Sequence, residues 1–213
     1  MLKSAIKRFS QLLVLMMVST LALAAESYQE GTHYIRLSKP VPVSVPGKIE
    51  VAELFWYGCP HCFEFEPYVE SWSKNLPDDV NFERVPATFS KLWQTHAGAF
   101  YAAAALGIGD KLHGDFFNRI HRNNEKLADV DSLAKFFANY GVTEDEAKKA
   151  LKSFGVKSRV QQAGARIRGY QALGVPGLVI NGKYRIDTGM AGSWTNMLKI
   201  AEYLVEQERN AVK

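Results

Sequence analysis

The strongest pattern along the chain is Ile49–Tyr57 (IEVAELFWY), an almost unbroken apolar run rich in aromatic and β-branched residues. Such a run predicts a central strand buried on both faces. Before it, Tyr34–Leu37 predicts a short edge strand, and Pro40, Pro42, Pro46 and Gly47 exclude a helix between the two. After it comes a helix carrying Phe63, Phe65, Tyr68, Val69 and Trp72, then the turn Leu76-Pro77-Asp78-Asp79, then the alternating strand Val80–Val85. From Lys91 to about Leu173 the period changes to three or four. Leu92, His96, Ala99, Phe100 and Ala103 share one helical face, and the helix stops near Gly107 in an interhelical turn, Gly107-x-Gly109. Leu112, Phe116, Phe117 and Ile120 mark a second helix. Leu133, Phe136, Phe137 and Tyr140 mark a third, stopped by Gly141. The capping box Thr143-x-x-Glu146 opens a fourth through Leu151 and Phe154, and Val156, Val160, Ala163, Ile167 and Tyr170 give a fifth that stops at Gly174. Strand signals then return as Leu178-Val179-Ile180 and Tyr184-Arg185-Ile186 around Asn181-Gly182, the strongest short hairpin signal. A last helix is predicted from Ser193 to Gln207. The order is βαβ, a helical block, then ββα, so two halves that pair must enclose the block as an insertion.

Composition fits a globular chain: 213 residues, 47% hydrophobic and 23% charged, with two cysteines, too few for a disulfide scaffold. The formal charge is +4, which raises the question of a nucleic-acid partner. The N-terminus answers it. Lys3, Lys7 and Arg8 precede the apolar run Leu12–Val18 and the small-residue end Ala22-x-Ala24, the layout of a secretory signal peptide over residues 1–24. The uncharged stretch from Phe9 to Ala25 is 17 residues, marginal for a membrane span, so no stable membrane insertion is expected. Cleavage near Ala24 removes three of the 26 cations and none of the 22 acids, leaving 23 against 22, or +1, over 189 residues. The positive charge belongs to the export signal, no nucleic-acid partner is expected, and an oxidising export compartment becomes the setting.

There, Cys59-Pro60-His61-Cys62 directly follows a buried strand and opens a helix. Cys59 is predicted at the N-cap with Pro60 at N1, where its missing N–H is of no consequence. The N–H groups of His61 and Cys62 then point at the Cys59 sulfur, the helix dipole favours its anion, and a protonated His61 adds charge. Cys59 is therefore the acidic, exposed, attacking thiol, and Cys62, one turn inside, is the shielded resolving one. A thiolate stabilised only in the dithiol form makes the corresponding disulfide an oxidant. An inert structural disulfide would gain little from so short a loop. Zinc lacks a second cysteine pair, with His33, His96, His113 and His121 in unrelated segments, and Phe63 after Cys62 excludes haem attachment. The expected redox group is the Cys59–Cys62 disulfide itself, with no cofactor and no metal.

Glu53, mid-strand and six residues before Cys59, has two compatible readings: an acid paired with Arg84 on the next strand, and a buried carboxyl that passes protons to and from the thiols. Val175-Pro176-Gly177 reads as a turn, and the cis frequency of about 5–6% for X-Pro bonds favours a trans Pro176. His96, His113 and His121 read as packing or surface residues. Trp56, Tyr57 and Phe63 read as core rather than as a binding groove.

Three stretches together resemble the DsbA family of the thioredoxin superfamily: Glu53-Leu54-Phe55-Trp56-Tyr57-Gly58-Cys59-Pro60-His61-Cys62, then Phe65-Glu66, then Gly174-Val175-Pro176-Gly177-Leu178-Val179-Ile180-Asn181-Gly182-Lys183-Tyr184. The Cys-Pro-His-Cys sequence is specific, since thioredoxins carry Cys-Gly-Pro-Cys. The resemblance implies an α/β chain, a thioredoxin fold with an inserted all-helical domain: residues 25–88 and 165–213 form the thioredoxin-like part and 89–164 the insertion. It implies a periplasmic, monomeric thiol oxidase whose Cys59 forms mixed disulfides with reduced exported proteins and whose Cys62 resolves them. It also implies re-oxidation by an inner-membrane, quinone-linked partner of the DsbB type. Pro176 becomes cis, Val175 pairs its backbone with substrate, and Glu66 becomes a peripheral acid. A disulfide isomerase or reductase of the same compartment, or a chaperone-like binding module, is the competing reading.

Overall fold

The computed structural model describes residues 28–211; the signal-peptide reading and its cleavage site lie outside them. Five strands form one mixed sheet in the order β1-β5-β4-β2-β3, with β1 at Ile35–Arg36, β2 at Ile49–Phe55, β3 at Val80–Pro86, β4 at Gly177–Ile180 and β5 at Tyr184–Asp187. β2 runs parallel to β3, with Glu53 opposite Arg84, and antiparallel to β4, with Glu53 opposite Leu178. Every residue of β2 is buried, as its apolar run required. The hairpin between β4 and β5 turns at Asn181 and Gly182 with φ of 50° and 62°. Two left-handed residues in succession are what the Asn-Gly pair is suited to.

The helix α1 (Pro60–Ser73) joins β2 to β3, and five helices separate β3 from β4: α2 (Lys91–Ala105), α3 (Gly109–His121), α4 (Val130–Ala138), α5 (Glu144–Lys152) and α6 (Phe154–Gly169). A short α7 (Thr188–Ala191) and the long α8 (Trp194–Ala211) close the chain. Alternate residues of β2 feed two cores. Ile49 and Val51 pack with Phe65 and Val69 of α1 and with Met197, Ala201 and Leu204 of α8. Ala52 and Leu54 belong to the larger core built with Phe116, Phe117, Leu133, Phe137 and Ile167 from the helical block.

Three expectations need correction. Phe154 does not continue the fourth helix of the block: Ser153 is extended (φ −64°, ψ 152°), ends α5 and caps α6 through its side chain, leaving Phe154 85% exposed. The last helix of the block ends at Gly169 rather than Gly174, because Gln171 turns left-handed (φ 53°). Leu92 is an exposed member of its helix although His96, Ala99 and Ala103 are buried as expected. The turn of helix at α7 was not foreseen.

Candidate active site

Cys59 is the N-cap of α1 and Pro60 its first residue. The Cys62 N–H donates to Cys59 Sγ at 3.3 Å, and the Cys59 N–H is held by the Trp56 carbonyl at 3.0 Å. Both cysteines are free thiols. Cys59 is less open than expected, at 8% exposure, but Cys62 is fully buried, so the order of access is as the helix geometry required. The Cys59 thiol is lowered from 9.0 to about 6, first by the hydrogen bond from the Cys62 thiol, then by the backbone N–H groups of Cys62 and His61, with the His61 charge a smaller contribution and burial acting against them. Cys62 is pushed far upward, mainly by burial and then by its donation to Cys59. One thiol ionises readily and the other does not.

His61 is exposed, with Nδ1 3.3 Å from Glu64 Oε2, so its charge acts on Cys59 from a screened position. The Val175–Pro176 bond is cis, against the frequency argument and in line with the resemblance. The Val175 carbonyl lies 3.6 Å from the Cys59 thiol, which donates to it. Gly58 has a steric reason: a Cβ there would lie 2.3 Å from the Trp56 ring, which stacks on Trp93 at 4.2 Å.

Beneath the cysteines is a charge cluster. Arg84 Nε donates to Glu53 Oε2 at 3.1 Å, and the Arg84 NH2 group donates to Glu66 Oε1 and Glu70 Oε2, each at 2.7 Å. Glu53 is fully buried, and its Oε1 has no hydrogen-bond partner among the described residues. Burial first, and the Glu66 charge second, push its carboxyl up to about 8 against the pull of Arg84. Glu70, held by Lys74 and Arg84, is lowered to about 2. Glu66 is not peripheral: it is buried at the centre of this cluster, because α1 lays it across β3.

Sequence reasoning also missed His113 and Tyr57. His113, brought in by α3, is buried with Nε2 3.3 Å from Glu66 Oε1 and Nδ1 2.8 Å from the Tyr57 hydroxyl. His121 lies against the Tyr57 carbonyl at 2.8 Å and stacks on Phe63. The one local signal was an acid, Glu66, set between Phe65 and Val69 on a buried face. The histidines gave none, since 47 residues separate Glu66 from His113. Tyr57 is core, as expected, stacked on Phe116 at 4.0 Å; Trp56 and Phe63 are half-buried. A cavity of about 1060 Å³ opens beside the cluster, lined among others by Phe63, Glu66, Arg84, Phe100, His113 and Phe117.

Comparison with known proteins agrees with this geometry. The DSBA-like thioredoxin domain family matches residues 79–201. The thiol:disulfide interchange protein DsbA of Azotobacter vinelandii is 47% identical over 190 residues, 89% of each chain. That of Pseudomonas aeruginosa is 45% identical over 193 residues, 91% of this chain and 92% of the relative. The crystal structure of Pseudomonas aeruginosa DsbA is similar with a TM-score of 0.84, covering 88% of this chain and 98% of the other at 45% identity. The oxidoreductase DsbA of Xylella fastidiosa follows at 0.81 and 33%, covering 86% and 98%.

Proposed function

The chain belongs to the DsbA family and is a thiol:disulfide oxidoreductase of thioredoxin fold with a helical insertion; on that premise we propose that it donates the Cys59–Cys62 disulfide to reduced exported proteins. A substrate thiolate attacks Cys59 Sγ; the Cys59–Cys62 bond breaks, a substrate–Cys59 disulfide forms, and Cys62 leaves as a thiolate that takes a proton. A second substrate thiolate then attacks the substrate sulfur of that mixed disulfide, and Cys59 leaves as a thiolate. The substrate loses two electrons and the enzyme gains them. In the reverse direction Cys62 resolves the mixed disulfide by attacking Cys59.

The observation that carries this reading is the donor set around Cys59: the Cys62 N–H at 3.3 Å and a thiol lowered to about 6. A good leaving group at Cys59 favours release of the oxidised substrate. At pH 7 a thiol at about 6 stabilises the dithiol form by about 1.4 kcal/mol, or about 30 mV for two electrons. DsbA proteins are themselves the standing example of this effect. Cys62, which must be re-protonated in a buried place, lies within electrostatic reach of the buried Glu53, and we assign Glu53 as the carboxyl that supplies and accepts that proton. Pro60 sets the helix start, His61 adds charge, and the Val175 backbone beside cis Pro176 is offered to an extended substrate chain.

The setting we propose is the periplasm, with a signal peptide over residues 1–24, and the re-oxidising partner a DsbB-type, quinone-linked membrane oxidoreductase. No helix of the described residues is long and apolar enough to cross a membrane. We further propose that the chain acts as a monomer, with residues 25–88 and 165–213 as the thioredoxin-like domain around the 89–164 insertion. Refolding of a reduced, cysteine-containing protein by the oxidised chain tests the chemistry. Oxidation should be stoichiometric and lost in Cys59→Ser; full oxidation by that variant would overturn it, and activity confined to scrambled substrates would favour an isomerase.

A further inference from the structure

The cluster under the cysteines holds more acid than base. Glu70 is satisfied by Lys74 and Arg84 at 2.7 Å each and is ionised. That leaves Glu53 and Glu66, both buried, to share what remains of one guanidinium charge, so near neutrality one of them keeps a proton. Which one is settled by the neighbours of Glu66. Its Oε2, like Glu53 Oε1, has no hydrogen-bond partner among the described residues, so the difference lies at Oε1: Arg84 donates to it at 2.7 Å, against 3.1 Å to Glu53, and His113 Nε2 lies 3.3 Å from the same oxygen, close though not aligned as a hydrogen bond.

His113 is kept neutral by burial and so carries one ring proton. Tyr57, a phenol that burial keeps protonated, meets Nδ1 at 2.8 Å. When the Tyr57 O–H donates to Nδ1, the ring proton sits on Nε2 and faces Glu66. The opposite tautomer would point a lone pair at a carboxylate. The other groups acting on His113 are few: Glu66 and Glu70 from α1, Arg84 from β3, and the rings of Phe55, Phe100 and Phe117.

We propose that Tyr57 and His113 form a directed polar chain that holds Glu66 as the anion and thereby leaves the shared proton on Glu53. His113 is a positioning residue acting through Glu66. The inference rests on Glu53 as the proton carrier of the resolving thiol. It assigns the choice between two carboxyls to a histidine that touches neither sulfur.

Carboxyl ¹³C NMR of the reduced protein, labelled at glutamate, tests it across pH. In the wild type the Glu53 signal should titrate near 8. His113→Leu should lower the Glu53 midpoint by about one pH unit, a tenfold loss of proton affinity. His113→Gln, whose amide can still present an N–H to Glu66, should stay within about threefold of wild type. Tyr57→Phe, which removes one oxygen and leaves the ring, should shift Glu53 the same way by about threefold, and it carries the test if His113→Leu does not fold. A high Glu53 midpoint indifferent to both residues overturns the proposal alone. A wild-type Glu53 titrating near 4.5 overturns the proton-carrier assignment and the proposal with it.

Discussion

Glu50 and Glu53 stand three residues apart on β2, on opposite faces of the sheet, and both are wholly buried. Their surroundings differ in completeness. Glu50 Oε1 accepts from Arg166 and from Tyr170, and its Oε2 accepts the Ser44 N–H at 2.7 Å. Arg166 also holds Glu83 at 2.7 Å, so this carboxylate ties α6 to the sheet as a closed network. Glu53 has one donor, Arg84, and that donor is divided among three acids. A buried carboxylate with both oxygens bonded is a structural tie. Glu53, with one oxygen unbonded, the longer bond to a shared guanidinium and a second acid beside it, is raised toward its protonated form instead.

The contrast can be broken most severely at Glu50. Glu50→Ala leaves Arg166 with Glu83 and the Tyr170 hydroxyl and should lower unfolding free energy by about 3–5 kcal/mol in urea titrations, while the folded fraction keeps its oxidation rate. Glu53→Gln should do the reverse. Its folded-state carboxyl is raised from 4.5 to about 8, so the stability tied to it is full below about 4.5 and is lost as pH rises through 8. The glutamine should flatten that slope in the reduced protein and slow disulfide transfer by about tenfold to a hundredfold in stopped-flow assays. Equal stability losses at both positions would erase the distinction.

Cys59 provides the opposite sign at the same site. Its folded-state value is lowered from 9.0 to about 6, so its contribution is present above 9 and disappears as pH falls through 6. At pH 7 the reduced protein should retain about 1.4 kcal/mol of it, and Cys59→Ser should remove that dependence from unfolding curves taken between pH 5 and 9. The smallest effect belongs to His61. Exposed and paired with Glu64, it should change the Cys59 titration by only about 0.2–1 kcal/mol when replaced by Ala, raising the midpoint read from thiolate absorbance. An unchanged midpoint would remove His61 from the set of influences.

Much of the fold was legible because its signals are local. The β2 run, the Asn181-Gly182 turn and the capping box at Thr143 each act within a few residues, and Cys59 at an N-cap before Pro60 is a local arrangement too. Apolar spacing misled at Phe154 because Leu151 and Phe154 keep a helical interval across a Ser153 that breaks the helix. The acid–base half of the site was less legible. Glu53 stood out as an acid in an apolar strand, but Glu66, His113 and Tyr57 meet only when α1 and α3 pack beside β3. Their chemistry comes from shared burial, which no spacing along the chain encodes.

The central claim is that stabilising Cys59 as a thiolate turns this dithiol into an oxidant. Equilibrating the protein with glutathione redox buffers at pH 7 measures it directly. The thiolate mechanism predicts a potential at least about 30 mV above that of a thioredoxin-type dithiol, at about −240 mV or higher. A value near the roughly −270 mV of a thioredoxin-type reductant would contradict it.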